Sequence, residues 1–206
     1  MKPINHRTTF LRVTLPAVGV FAWLLAGGAW AQQRAAAAAP VEVRIRDLSK
    51  LGRAALVRTP EYQNNVSRTA RGARRKEWAV LEVTYETAPE WMDELSFTFY
   101  LMTQDAQKQY NYFETSVTYV DIAKGEHVAC VVLPSAAVAR FGEPNAFGVE
   151  IFLGGQRVAT KSAGAVEEWW KLLADRPNIN KRSGYLVDRS KTPFAWAFID
   201  DYEAVR

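Results

Sequence analysis

Cysteine and histidine are scarce in this chain, and their scarcity limits the chemistry that it can perform. The sequence has one cysteine, Cys130, and two histidines, His6 and His127. A chain with a single thiol has no internal disulfide, so burial of apolar side chains must hold the fold together. Cys130 lies in the apolar run 128–133, where we expect a buried and unreactive thiol. A zinc site needs four ligands, and one histidine beside one cysteine on a strand does not supply them.

Motifs for phosphate, dinucleotide or calcium binding are also missing, so we expect no metal and no cofactor. The pair Gly154-Gly155 is followed by a strand-like segment, which indicates a hairpin turn rather than a phosphate-binding loop. His127 has no neighbouring nucleophile signature, and we expect it to cap a strand at the surface. Two acidic clusters, 90–94 and 200–203, leave open a hydrolase that uses two carboxylates, although such clusters are usually solvated. The sequence therefore predicts a protein that is not an enzyme.

The N-terminus has the three-part layout of a secretory signal. Basic residues precede an apolar run, 13–25, and Ala29-Trp30-Ala31 places small residues where a signal peptidase cleaves. We expect residues 1–31 to be the signal peptide, with cleavage between Ala31 and Gln32, and the Ala-rich stretch 32–40 to be a linker. The apolar run is short for a membrane span, which favours a cleaved signal over the alternative of an uncleaved anchor. No later stretch is longer, so we expect no span after signal removal. These features predict a periplasmic or cell-surface protein.

Basic charge is less informative than the pI of 9.2 suggests. The formal net charge is +4, and three of the basic residues lie in the predicted signal, so the processed chain carries +1. A basic cluster remains at 68–76, which the pattern favours as a solvated loop beside a strand, and within which Arg71, Arg74 and Arg75 are candidates for contact with an anionic partner. No aromatic residues alternate with these arginines, as base stacking would require, and we expect no nucleic-acid partner.

Period-two alternation dominates the remaining sequence and predicts β-strands. In 94–103, for example, Leu95, Phe97 and Phe99 share one face while Ser96 and Thr98 share the other. Comparable patterns cover 41–46, 78–87, 110–122, 128–133, 146–153 and 156–160. The pattern predicts one domain over 41–206: a mostly β, immunoglobulin-like antiparallel β-sandwich.

Two segments favour helix over strand, and an aromatic tail follows them. We expect a single helical turn over 134–140 and one short C-terminal helix over 167–173, where acidic residues precede Trp169-Trp170. The tail, 182–206, is expected to dock on the sheets or to complete a sheet edge.

Tryptophan provides the main candidates for a binding surface. Trp78 falls on the polar phase of its strand, and Trp91 falls in a predicted turn, so both are candidate interaction residues for a protein or a sugar. We expect Trp170 and Trp196 to be covered by the fold.

Short segments of the chain resemble a known group of exported proteins. WAVLEVTY (78–85), TSVTYVD (115–121), VARFG (138–142), TPFA (192–195) and DYE (201–203) are similar to immunoglobulin-like proteins encoded beside type IV pilus or type II secretion-like machinery in Gram-negative bacteria. The resemblance implies a non-catalytic accessory component of a pilus-like assembly, with a protein partner in the cell envelope. The spare tryptophans leave a carbohydrate-binding module, with a glycan partner, as the alternative.

Overall fold

The computed structural model describes residues 42–60, 76–173, 176, 178–197 and 199–206. The predicted signal peptide and linker, the cleavage residues Ala31 and Gln32, and the candidates Arg71, Arg74 and Arg75 lie outside these residues.

The described residues form a mostly β structure whose strands join in one antiparallel sheet, with one parallel exception. The strands are β1 (Val43–Leu48), β2 (Leu56–Arg58), β3 (Glu77–Gln104), β4 (Tyr110–Leu133), β5 (Pro144–Leu153), β6 (Gln156–Ala163), β7 (Ile179–Arg182), β8 (Val187–Asp188) and β9 (Ala204–Val205). The main order is β6-β5-β3-β4-β7, in which β7 pairs with β4 in parallel. Strands β1 and β2 pair with β3, and β8 and β9 pair with β4.

Strands β3 and β4 span 28 and 24 residues, and their length explains how one sheet becomes a sandwich. Strands in globular proteins rarely exceed about ten residues. The ladder between them shifts register between Thr87 and Trp91, where Pro89 has no N–H to donate. The sequence predicted a turn between two strands here, and the structure instead continues the strand through a bulge.

The first half of β3 pairs with β1 and β2, and the second half pairs with β5. Side chains of both halves meet in the core: the rings of Tyr85 and Phe97 lie 5.0 Å apart. The Tyr119 hydroxyl joins the two halves of β4, since it accepts from Cys130 N at 2.9 Å and donates to Cys130 O at 3.1 Å. The bulge therefore replaces a turn and brings the two layers of an immunoglobulin-like sandwich face to face.

The core consists of the alternate apolar side chains that the sequence pattern predicted to point inward from each strand. Leu95, Phe97, Phe99 and Leu101 have no exposed area, and neither do the inward residues of 79–85. Gly154 and Gly155 have φ angles of +56° and +80°, and the antiparallel pairing of β5 with β6 confirms the predicted hairpin. Cys130 is 1% exposed, as the apolar run predicted.

The two predicted helical segments exchange their expected forms: the single turn is an α-helix, and the short helix is a 3-10 turn. The α-helix lies between β4 and β5, at Ser135–Phe141, where we expected a single turn. The C-terminal segment forms only a 3-10 turn, Trp169–Leu172, because the chain enters it through Glu168 in a left-handed conformation with φ of +50°. Among the residues that the structure describes, three further 3-10 turns lie at Gly52–Ala55, Arg189–Lys191 and Ile199–Asp201.

The C-terminal tail, with β7 at its start, completes an edge of the sheet, as predicted. Strands β7, β8 and β9 each pair with a different part of β4. Phe194 is 8% exposed and packs with Cys130 and Val132. The tail therefore belongs to the folded structure.

Candidate interaction surface

Trp91 is an exposed aromatic side chain on a paired strand. It lies at the end of the β3 bulge, opposite Ala123 of β4, and 67% of its surface is exposed. Its neighbour Met92 is 5% exposed, so the alternation resumes with Met92 inward and Trp91 outward. The strand pairing limits backbone freedom at Trp91, and a partner that covers the ring would therefore order little backbone.

Charged side chains from three strands surround a cavity of about 320 Å³ beside this bulge. Arg46 pairs with Glu86, Arg44 lies 3.9 Å from Glu42, and Lys124 lies 4.0 Å from Glu90. The last two pairs are long and well exposed, so they contribute little to stability and leave their charges available to a partner.

Trp78 is less available than its position in the sequence suggested. Its Nε1 donates to Thr59 Oγ1 at 3.0 Å, and its ring meets the edge of Phe194 at a centroid distance of 5.9 Å. The tail therefore half-buries Trp78, whereas Trp91 stays open.

Of the other described tryptophans, two are buried and one is exposed. Trp169 and Trp170 are 3% and 5% exposed, as predicted for Trp170, and Trp170 stacks on Tyr100 with ring centroids 4.5 Å apart. Trp196 is 75% exposed, so the expectation that the fold covers it is wrong. Its neighbour Phe194 occupies the inward position of this tail segment and leaves Trp196 outside. Ile199, on the same segment, is 49% exposed.

His127 is buried and not a surface cap, because it joins the tail to the sheet. Its Nδ1 lies 2.6 Å from Glu203 Oε1, and its Nε2 lies 2.8 Å from Ala123 O and 3.3 Å from Thr87 Oγ1. This order of acid, imidazole and hydroxyl is the nearest approach to a triad in the described residues. However, Thr87 is 2% exposed and donates its proton to Ala123 O at 2.8 Å, so its hydroxyl is neither accessible nor activated by the ring. The arrangement anchors the tail.

The acidic clusters predicted from sequence separate into different environments. Asp200, Asp201 and Glu203 line a cavity of about 500 Å³ with Glu82 and Glu126. In the cluster at 90–94, Glu94 accepts from Arg206 at 2.7 Å and Glu90 lies 4.0 Å from Lys124, so both carboxylates face surface cations. Within the described ranges, no group of three or more potential ligands is placed to hold a metal ion.

In the part of the chain that the structure describes, no helix has both the length and the apolar character that crossing a membrane requires.

The chain is similar to a solved structure and matches a protein-family model. The crystal structure of a protein from Akkermansia muciniphila is 26% identical, with a TM-score of 0.70, and the match covers 81% of this chain and 93% of that one. No curated protein matches the chain. A protein-family model matches residues 34–206, which include all the strands described above. The chain therefore belongs to the family that this model defines.

Proposed function

We propose that this protein is an exported, non-catalytic binding module, an accessory component of a pilus-like or secretion assembly in the cell envelope. The exposure of Trp91 carries the binding part of the proposal. A tryptophan at 67% exposure on a hydrogen-bonded strand offers a large apolar face at little entropic cost. Residues of this type dominate the energetics of protein interfaces when a partner covers them.

The charged side chains beside Trp91 favour a partner protein whose surface also carries charge over a partner whose surface is wholly apolar. Arg44, Lys124 and Glu90 lie beside the bulge with long, exposed pairings. Rim charges of this kind steer encounter and select partners more than they add affinity. The pilus-like setting is supported by the resemblance of the short segments in the sequence. The signal-peptide pattern supports a periplasmic or surface location.

Crosslinking in intact cells, followed by mass spectrometry, tests this proposal. We expect the wild-type protein to recover envelope proteins of a pilus or secretion apparatus, and Trp91→Ala to lose them while its unfolding transition is unchanged. Gln107→Ala is a matched control, because Gln107 is exposed in the hairpin loop between β3 and β4 and should retain every partner. If the Trp91→Ala and Gln107→Ala variants recover the same partner proteins in equal amounts, Trp91 is not part of the interface.

A carbohydrate-binding module is the second candidate, and the exposed rings of Trp91 and Trp196 favour it. Flat aromatic faces stack on sugar rings as they do on other apolar faces. Glycan-array binding that both Trp91→Ala and Trp196→Ala reduce would support this function. An array without signal, with tryptophan fluorescence unchanged on addition of sugars, would end it.

A further inference from the structure

A cavity of about 300 Å³ lies between the C-terminal tail and β4. Its size is at the lower end of pockets that hold small ligands. Most of its walls are apolar or aromatic, and a single cation, Arg189, is among them. The lining includes Arg189, Ala195, Tyr202, Glu203, Ala204 and Val205.

Arg189 is held in place with only part of its hydrogen-bonding capacity used. Its guanidinium carbon lies 3.8 Å from the centroid of the Tyr202 ring, a cation–π contact. Nη1 donates to Ala195 O at 3.4 Å, a long bond, and the buried Nη2 has no hydrogen-bond partner in the described residues. A buried donor without an acceptor is costly, and more so when it is charged.

The carboxylates near Arg189 are engaged elsewhere. Glu203 pairs with His127 at 2.6 Å, and Asp188 pairs with Lys191 at 2.7 Å. Glu82 accepts from the Tyr202 hydroxyl at 2.6 Å. The fold therefore positions a guanidinium at a largely apolar cavity, and among the described residues Arg189 forms no ion pair, although Glu203 also lines the cavity.

We propose that this cavity binds a carboxylate carried on a compact apolar group. Arginine N–H groups bind carboxylates through charge-assisted hydrogen bonds, and the apolar walls accommodate the body of the ligand. Two sources supply this chemistry: a small free organic acid, and the carboxy-terminal residue of another chain. Neither the cavity nor Arg189 is part of the surface around Trp91, so this site is independent of the proposed function.

Methyl NMR titration of the processed chain tests the proposal. The probes are benzoate, benzamide, and a short peptide ending in phenylalanine with either a free or an amidated carboxy-terminus. We expect saturable shifts of the methyl signals of Ala195, Ala204 and Val205 with the carboxylates, and none with the two amides. Binding of benzoate alone would identify a small acid as the ligand, and binding of the free peptide alone would identify a chain terminus.

Variants locate the binding site within the fold. Arg189→Gln should weaken carboxylate binding roughly tenfold or more, because it removes a charge-assisted contact. Arg53→Gln, which removes an exposed arginine outside both candidate sites, should leave binding unchanged. Because loss of Arg189 also removes its contact with Tyr202, Ala195→Leu is a second variant that narrows the cavity and keeps the arginine. Equal binding of amides and carboxylates, no saturable binding of any probe, or full binding by Ala195→Leu would each overturn the proposal.

Discussion

Gly148 is the position where one added methyl group most directly tests how the 3-10 turn Trp169–Leu172 packs on the sheet. It lies on β5 opposite Tyr100, and Trp170 covers it. A Cβ at Gly148 would lie 2.1 Å from Trp170 Cζ3 and 2.6 Å from Cε3, distances that no real packing tolerates. Gly148→Ala must therefore displace either the strand or the indole.

The cost of this substitution has a lower and an upper bound. Forcing an extra methyl into a packed site costs about 1–3 kcal/mol. Full release of the indole would expose about 150–250 Å² of aromatic surface, which at ~25 cal/mol/Å² is ~4–6 kcal/mol. We expect Gly148→Ala to lower the free energy of unfolding within this interval, measured by urea titration with tryptophan fluorescence and circular dichroism.

A double-mutant cycle isolates the clash from other effects of the alanine. In a Trp170→Ala background the methyl group meets no indole, so Gly148→Ala should change stability by less than ~1 kcal/mol. Gly154→Asn is a control, because nothing lies near a Cβ there and asparagine tolerates its left-handed backbone. An equal loss in both backgrounds would refute the contact between Trp170 and Gly148.

Three further predictions concern the buried polar groups. His127→Ala should cost about 2–4 kcal/mol and accelerate amide exchange in β9, since it leaves Glu203 without its partner; unchanged exchange would show that the ring does not hold the tail. Burial raises the pKa of Tyr85 and of Tyr119 above their ordinary value of about 10, so the folded state retains protons that the unfolded state loses. Stability should accordingly be undiminished by these groups below pH ~10 and fall above it by up to ~1.4 kcal/mol per pH unit for each tyrosine; native-state tyrosinate absorbance that Tyr85→Phe or Tyr119→Phe reduces would contradict this. Burial likewise raises the pKa of the Cys130 thiol, so a thiol reagent should modify it at the rate of unfolding or tail opening, and rapid modification of the native protein would disprove its burial.

The alternation of side chains predicted the core because burial on one face is a local property of a strand. Phe97 and Phe99 are buried, and Thr98 between them is less so, as the pattern requires. The continuity of β3 through Pro89 was not predictable in this way, since a bulge and a turn share the same local signals. What distinguishes them is the ladder with β4, whose residues lie far along the chain.

The candidate surface was predicted in part for the same reason. Trp91 is a candidate in the sequence because it falls in a predicted turn, whereas the exposure of Trp196 depends on how the tail docks. The burial of His127 depends on Glu203, 76 residues away in sequence. One local signal was available: Gly148, inside a strand pattern, is typical of a close approach by another group, which here is Trp170.

Site-specific photo-crosslinking from position 91 in living cells tests the binding role most directly. A photoreactive amino acid would replace Trp91 in one strain and Gln107 in another, and mass spectrometry would identify the crosslinked proteins and the mature N-terminus. The proposed function predicts an envelope-assembly protein crosslinked from position 91 and not from 107, on a chain that begins at Gln32. The same proteins from both positions, or none from position 91, would contradict a binding surface at Trp91.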